Sequence, residues 1–132
     1  MAKTNPTLRV VIIFVTFAAG LIFSHFKQQY TENVLKQSAS KLKIIPEHRI
    51  MLSSYYESEK QVNIGFDFIG FSRDDNKFKE YQTRYLASFK NMACKSKPLK
   101  SYYQNKKPVV IDLRLQNRNF GNLILSSSEC RK

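Results

Sequence analysis

At 132 residues, 42% of them hydrophobic and 13% aromatic, the chain has enough apolar material for one domain with a modest core and too little for two. Its 22 Lys and Arg against 10 Asp and Glu give a formal charge of +12, an excess that favours anionic partners or, more simply, solubility. Two cysteines, two histidines and no CxxC pair exclude a zinc-finger or zinc-ribbon framework.

The segment Leu8 to Phe23, LRVVIIFVTFAAGLIF, is apolar apart from Arg9 and follows a short head carrying Lys3. A membrane-spanning helix needs about 20 such residues. Leu8 to Phe26 reaches that length with Ser24 and His25 at the interface. A cleaved secretory signal is the alternative, with sites at Ala18-Ala19-Gly20 or Ile22-Phe23-Ser24, but neither has the Ala-x-Ala form. The expectation is an uncleaved signal-anchor: a cytoplasmic stub and transmembrane helix over 1–26, contacting membrane lipid through residues 8–26. A basic head before a first apolar segment leaves the N-terminus in the cytoplasm. Residues 27–132 are then an extracytoplasmic domain, periplasmic in a bacterium, on a single-pass inner-membrane protein; the other outcome is secretion after cleavage, as an effector or immunity-type protein. Setting Lys3 and Arg9 aside leaves 20 basic against 10 acidic residues in that domain, a charge of +10.

Tyr30 to Ile45 reads as a helix with Val34, Leu35, Leu42 and Ile45 on one stripe, Thr31 as N-cap and Pro46 as its stop. His48 follows, expected at the surface. From Arg49 the period shortens: Ile50, Leu52, Ser54 and Tyr56 share one face, Glu57 to Gln61 make a turn, and Val62, Ile64, Phe66 and Phe68 alternate with polar or small residues. The pair reads as an antiparallel hairpin.

Ser72 with Asp75 suggests the start of a second helix, with Asp74 and Asp75 as capping residues rather than cation ligands. Phe78, Tyr81, Tyr85, Leu86, Phe89, Met92 and Ala93 then recur at three- and four-residue spacing, the apolar stripe of a core-facing helix that ends at Cys94. Between Glu80 and Asp112 there is no acidic residue. Lys90, Lys95, Lys97, Lys100, Lys106 and Lys107 accumulate there, and Pro98 and Pro108 bracket an expected loop carrying Tyr102 and Tyr103. Basic residues interleaved with aromatics suit an anionic polymer such as nucleic acid or glycan, or lipid head groups. This patch is the candidate binding surface, and a solvated lysine-rich loop is the plainer alternative.

Val109 to Leu115 and Leu123 to Leu125 read as a second hairpin around Asn117 to Asn122. The tail carries Cys130, which in an oxidising compartment pairs with Cys94. The expected fold is α+β: after the transmembrane helix, a two-layer domain in the order helix-hairpin-helix-hairpin. Two helices cover one face of a four-stranded antiparallel sheet. Its other face carries Tyr55, Asp67, Ile69, Phe71, Asp112 and Arg114. No GxSxG, HExxH, phosphate loop or acidic metal cluster occurs. The expectation is therefore a non-catalytic protein without cofactor or metal, partnered by an envelope protein in a secretion, pilus or exclusion apparatus.

Overall fold

The computed structural model describes residues 26–131. The expected transmembrane helix lies outside the described residues except for Phe26, and among the described residues no helix is long and apolar enough to cross a membrane. The chain divides into two units, Met1–Thr31 and Glu32–Lys132. A helix described over 26–40, α1, runs through the division. Within the first unit Thr31 does not cap this helix but lies inside it, its Oγ1 donating to the Lys27 carbonyl at 2.9 Å. Such back-bonding gives a mid-helix threonine a local partner.

The second unit is α+β. After α1 come β1 (Arg49–Glu57), β2 (Val62–Ile69), α2 (Phe78–Lys95), α3 (Lys97–Gln104), β3 (Val109–Leu115), β4 (Arg118–Leu125) and a single turn of helix, α4 (Ser127–Cys130). The strands lie in the order β1-β2-β3-β4. Both hairpins are antiparallel as expected, but the central pair β2 and β3 is parallel, Val62 beside Val109 through Phe68 beside Leu115. The sheet is therefore mixed, which corrects the all-antiparallel expectation. The cause is the length of the connection. At 18 residues α2 rises about 27 Å, and the eight residues of β2 extend about 26 Å. One helix thus carries the chain back along the sheet, and β3 starts at the end where β2 started, as in any strand-helix-strand crossover.

One face of the sheet is the core. Val62, Ile64, Phe66 and Phe68 of β2 and Val109, Ile111, Leu113 and Leu115 of β3 are buried, with Leu35 and Ala39 of α1, Tyr81, Tyr85, Phe89 and Ala93 of α2, and Leu99 of α3 in the same cluster. Aromatic rings meet edge to face, Phe68 with Tyr85 at 4.7 Å and with Phe120 at 5.0 Å. That arrangement opposes ring edge to ring face and adds to area burial. Where α2 crosses β4 the backbone comes close: a Cβ on Gly121 would stand 2.6 Å from Leu86 Cδ2. Gly121 is thus a strand residue that admits a helix side chain, and the turn of the second hairpin is Gln116-Asn117, both at positive φ (55° and 64°). Two successive positive φ values match the right-handed twist of the strands they join.

Further departures have local causes. In β1 the register shifts between Leu52 and Ser54, so Ser53 is an extra residue and the alternation inverts after it. Ile50 and Leu52 face the core as expected, but Tyr55 then replaces Tyr56 on the inner side and Tyr56 is exposed. Phe71 likewise packs inward, against His48 and Tyr81. Helix α1 stops at residue 40 rather than near Ile45. Helix α2 begins at Phe78, later than Ser72, because Ser72 and Asp75 close a turn of their own: the Asp75 N–H donates to the Ser72 carbonyl, and Asp75 Oδ1 accepts from the Lys77 N–H at 2.9 Å. The outer face of the sheet carries Asp67, Asp112 and Arg114 half-buried, with Met51, Tyr56, Ile69 and Ile124 exposed.

Candidate functional site

The residues singled out as a binding patch collect at one end of the sheet, where β2 and β3 begin and β1 and β4 end. Their segment is not a loop but the helix α3. Pro98 stands in its first turn, where the missing N–H of proline costs nothing and its fixed φ suits the helix. Leu99, Tyr102 and Tyr103 are buried and Lys97, Lys100 and Gln104 are exposed. The spacing 99, 102, 103 is one apolar stripe of a short amphipathic helix, a signal present in the sequence but masked by the density of lysine around it.

The end of α3 is closed by two reversed hydrogen bonds, Lys106 N–H to the Tyr103 carbonyl at 3.1 Å and Lys107 N–H to the Tyr102 carbonyl at 2.8 Å, with Lys106 at φ 60°. This is a Schellman cap with lysine in the left-handed position that glycine usually fills.

Both tyrosines point inward. Tyr103 Oη donates to the Ala93 carbonyl at 3.2 Å, tying α3 to the last turn of α2. Burial pushes its phenol up to about 12. Tyr102 Oη lies 2.7 Å from Tyr55 Oη and donates to Glu57 Oε2 at 3.2 Å, while Lys107 Nζ pairs with Glu57 Oε1 at 3.0 Å. Burial first, then the bond to Tyr55, holds the Tyr102 phenol protonated far above its ordinary range. Neither ring is placed to stack on a base. The structure therefore separates the sequence-predicted patch. Tyr102, Tyr103 and Lys107 belong to internal contacts, Lys90 is half-buried, and Lys95, Lys97, Lys100 and Lys106 face solvent.

Cys94 and Cys130 are bonded to each other, with Cα atoms 5.3 Å apart. The bond fastens α4 to the end of α2, next to α3. A cleft of about 380 Å³ opens beside it, lined by Lys100, Tyr103, Gln104, Lys106, Ser127, Cys130 and Arg131. Three cations thus line one concave surface; no local pattern announces Arg131 among them, because it reaches Lys100 and Lys106 through the tail that the disulfide fastens to α2.

His48, expected at the surface, is fully buried. Its ring centroid lies 4.5 Å from that of Phe71 and 4.7 Å from that of Tyr81, edge to face with the latter. Tyr85 Oη accepts the Ile44 N–H at 3.1 Å and contacts His48 Nδ1 at 2.5 Å. The Tyr85 hydroxyl thus links the Ile44 backbone to the imidazole, and the direction of its bond to Nδ1 follows the ring's tautomer. Burial lowers the imidazole pKa below its ordinary value, against an opposing pull from Glu47 and Asp75. This histidine closes the packing between the α1–β1 link and α2.

Another hollow, about 680 Å³ and open to solvent, lies at the first hairpin between Tyr56, Glu57, Ser58, Glu59, Lys60 and Lys107. Among the described residues no group of three or more His, Cys, Asp and Glu is placed to hold a metal ion. Comparison with known proteins finds no matching family model, no matching curated protein and no matching solved structure.

Proposed function

We propose that this protein is a membrane-tethered, extracytoplasmic interaction module without catalytic activity, serving an envelope apparatus of the secretion, pilus or exclusion kind through a protein partner. One observation carries the reading: the Cys94–Cys130 bond in a chain headed by a basic, then apolar leader. Structural disulfides persist in oxidising compartments and are rare in the cytosol, and a leader of this kind delivers a following domain to such a compartment. The domain's small size fits as well, since a core of this extent gains proportionately from a covalent staple.

The non-catalytic part of the reading draws support from His48, which is fully buried and packed against the rings of Phe71 and Tyr81. It also draws on the outer sheet face, where among the described residues half-buried Asp67, Asp112 and Arg114 stand beside exposed Met51, Tyr56, Ile69 and Ile124.

Reporter fusions at the C-terminus, together with the mass of the mature chain, test the reading. An extracytoplasmic reporter, an intact N-terminus and a mass two hydrogens short of the reduced chain support it. A mature chain beginning near Leu21 or His25 turns the anchor into a cleaved signal. A cytosolic reporter with both thiols reduced refutes the reading altogether. Crosslinking in intact cells followed by detergent purification then identifies the envelope partner, and recovery of uncrosslinked monomer alone counts against an assembly role.

A further inference from the structure

The charge of the domain is not spread evenly. Lys95 closes α2, Lys97 and Lys100 lie one turn apart on the outer side of α3, and Lys106 stands in its left-handed cap. Arg131 is brought beside Lys100 and Lys106 by the disulfide. All five are exposed. The carboxylates at this end lie apart from these five: Glu57 is held by Lys107 and Tyr102, Glu59 lines the hollow of the first hairpin with Lys60 and Lys107, and Glu129 lines a separate hollow with Lys90 and Cys94. From Tyr81 to Ile111 the chain supplies no carboxylate to neutralise the face.

We propose that this basic end, Lys95, Lys97, Lys100, Lys106 and Arg131, docks on the anionic phospholipid head groups of the leaflet to which the chain is tethered. The inference rests on the tethered reading above and adds the surface and its ligand.

The charge complementarity is direct, and each basic side chain near an anionic surface raises partitioning about fivefold. Lipid is favoured over nucleic acid because the aromatics that would stack on bases, Tyr102 and Tyr103, are turned into the core. It is favoured over a soluble glycan because a tether holds head groups at high effective concentration beside the domain. The cleft of about 380 Å³ between Lys100, Lys106 and Arg131 has room for a phosphate group, which lysine meets as a point charge and arginine as a fork.

The test uses the full chain in lipid nanodiscs, with lysine acylation rates read residue by residue by mass spectrometry. Discs of phosphatidylcholine alone are compared with discs containing phosphatidylglycerol. Lys95, Lys97, Lys100 and Lys106 are expected to react at least about fivefold more slowly on the anionic discs at about 0.1 M salt, and to recover at about 1 M, where the screening length falls to about 3 Å. Lys77 and Lys79, at the other end of α2, react equally on both. The variant K97E/K100E/K106E restores the reactivity of Lys95 on anionic discs.

Equal rates on the two discs, with the chain seated in both, overturn the docking and leave the tether standing. A chain that enters neither disc overturns both readings. Protection by added heparin or single-stranded DNA on neutral discs, without protection by phosphatidylglycerol, assigns the face to a soluble polyanion and overturns the lipid proposal.

Discussion

Removing the disulfide is the perturbation whose size follows most directly from the structure. Cys94 and Cys130 are 36 positions apart, and closing a loop of that length restricts the unfolded chain by about 4 kcal/mol in the chain-entropy treatment. A domain of this size has a total stability of about 5–15 kcal/mol. The cross-link is therefore a quarter of the total or more. The folded state gives little of it back, because α4 buries no residue of its own and is held otherwise by the Ser126 cap on the Glu129 N–H at 3.4 Å.

With a urea dependence of about 1.5 kcal/mol per molar, C94A/C130A should unfold at about 2–3 M lower urea than the oxidised protein. The assay is equilibrium unfolding followed by far-ultraviolet circular dichroism. Wild-type protein in reductant, which keeps both side chains, should show nearly the same loss and so separate the cross-link from side-chain truncation. A midpoint within about 0.3 M of the oxidised protein, less than a fifth of the expected shift on the same slope, would refute the assignment of this bond as the domain's principal restraint.

Acidification bears on His48. Its folded pKa is lowered by burial, so the unfolded chain binds more protons just below the ordinary histidine value. The contribution from burying a neutral ring is complete above about pH 6.5 and declines as pH falls through 6.5 toward the folded pKa. Unfolding midpoints measured from pH 7 to 5 should fall, and His48→Phe should flatten that slope. Tyr85→Phe strands the Ile44 N–H and His48 Nδ1 and should cost about 1–3 kcal/mol in denaturant unfolding. Gly70 has φ +110°, and a Cβ there would collide with the Glu47 carbonyl oxygen. Gly70→Ala should lose at least about 3 kcal/mol, since that backbone region is nearly closed to other residues, and soluble yield with thermal melting reads it. Lys106→Gly relieves a left-handed lysine and should raise stability by about 0.5–1 kcal/mol, an increase visible in the same urea titration.

Where one element's own pattern carries the information, it was legible. Val62 to Phe68 and Tyr81 to Ala93 declare a strand and a helix by period alone, and both are in place. The lysine-rich segment was legible too, but its tyrosines were misplaced because the stripe Leu99, Tyr102, Tyr103 is only one turn long and lies among cations. Ser53 could not be read: a bulge leaves no mark in composition, yet it decides that Tyr55 and not Tyr56 meets Tyr102. His48 was unreadable for a similar reason, since its ring partners Phe71, Tyr81 and Tyr85 come from the link after β2 and from α2, well beyond its own stretch of chain.

From the residues alone follow the α+β class, the two hairpins, the core face of α2 and the pairing of two cysteines. Each depends on local periodicity or on simple parity. Tertiary structure alone decided that β2 and β3 run parallel, that Arg131 stands beside Lys100 and Lys106, and that one histidine is sealed among aromatic rings. These depend on where a connection of given length returns the chain and on which distant side chains then share a volume, quantities that no window along the sequence contains.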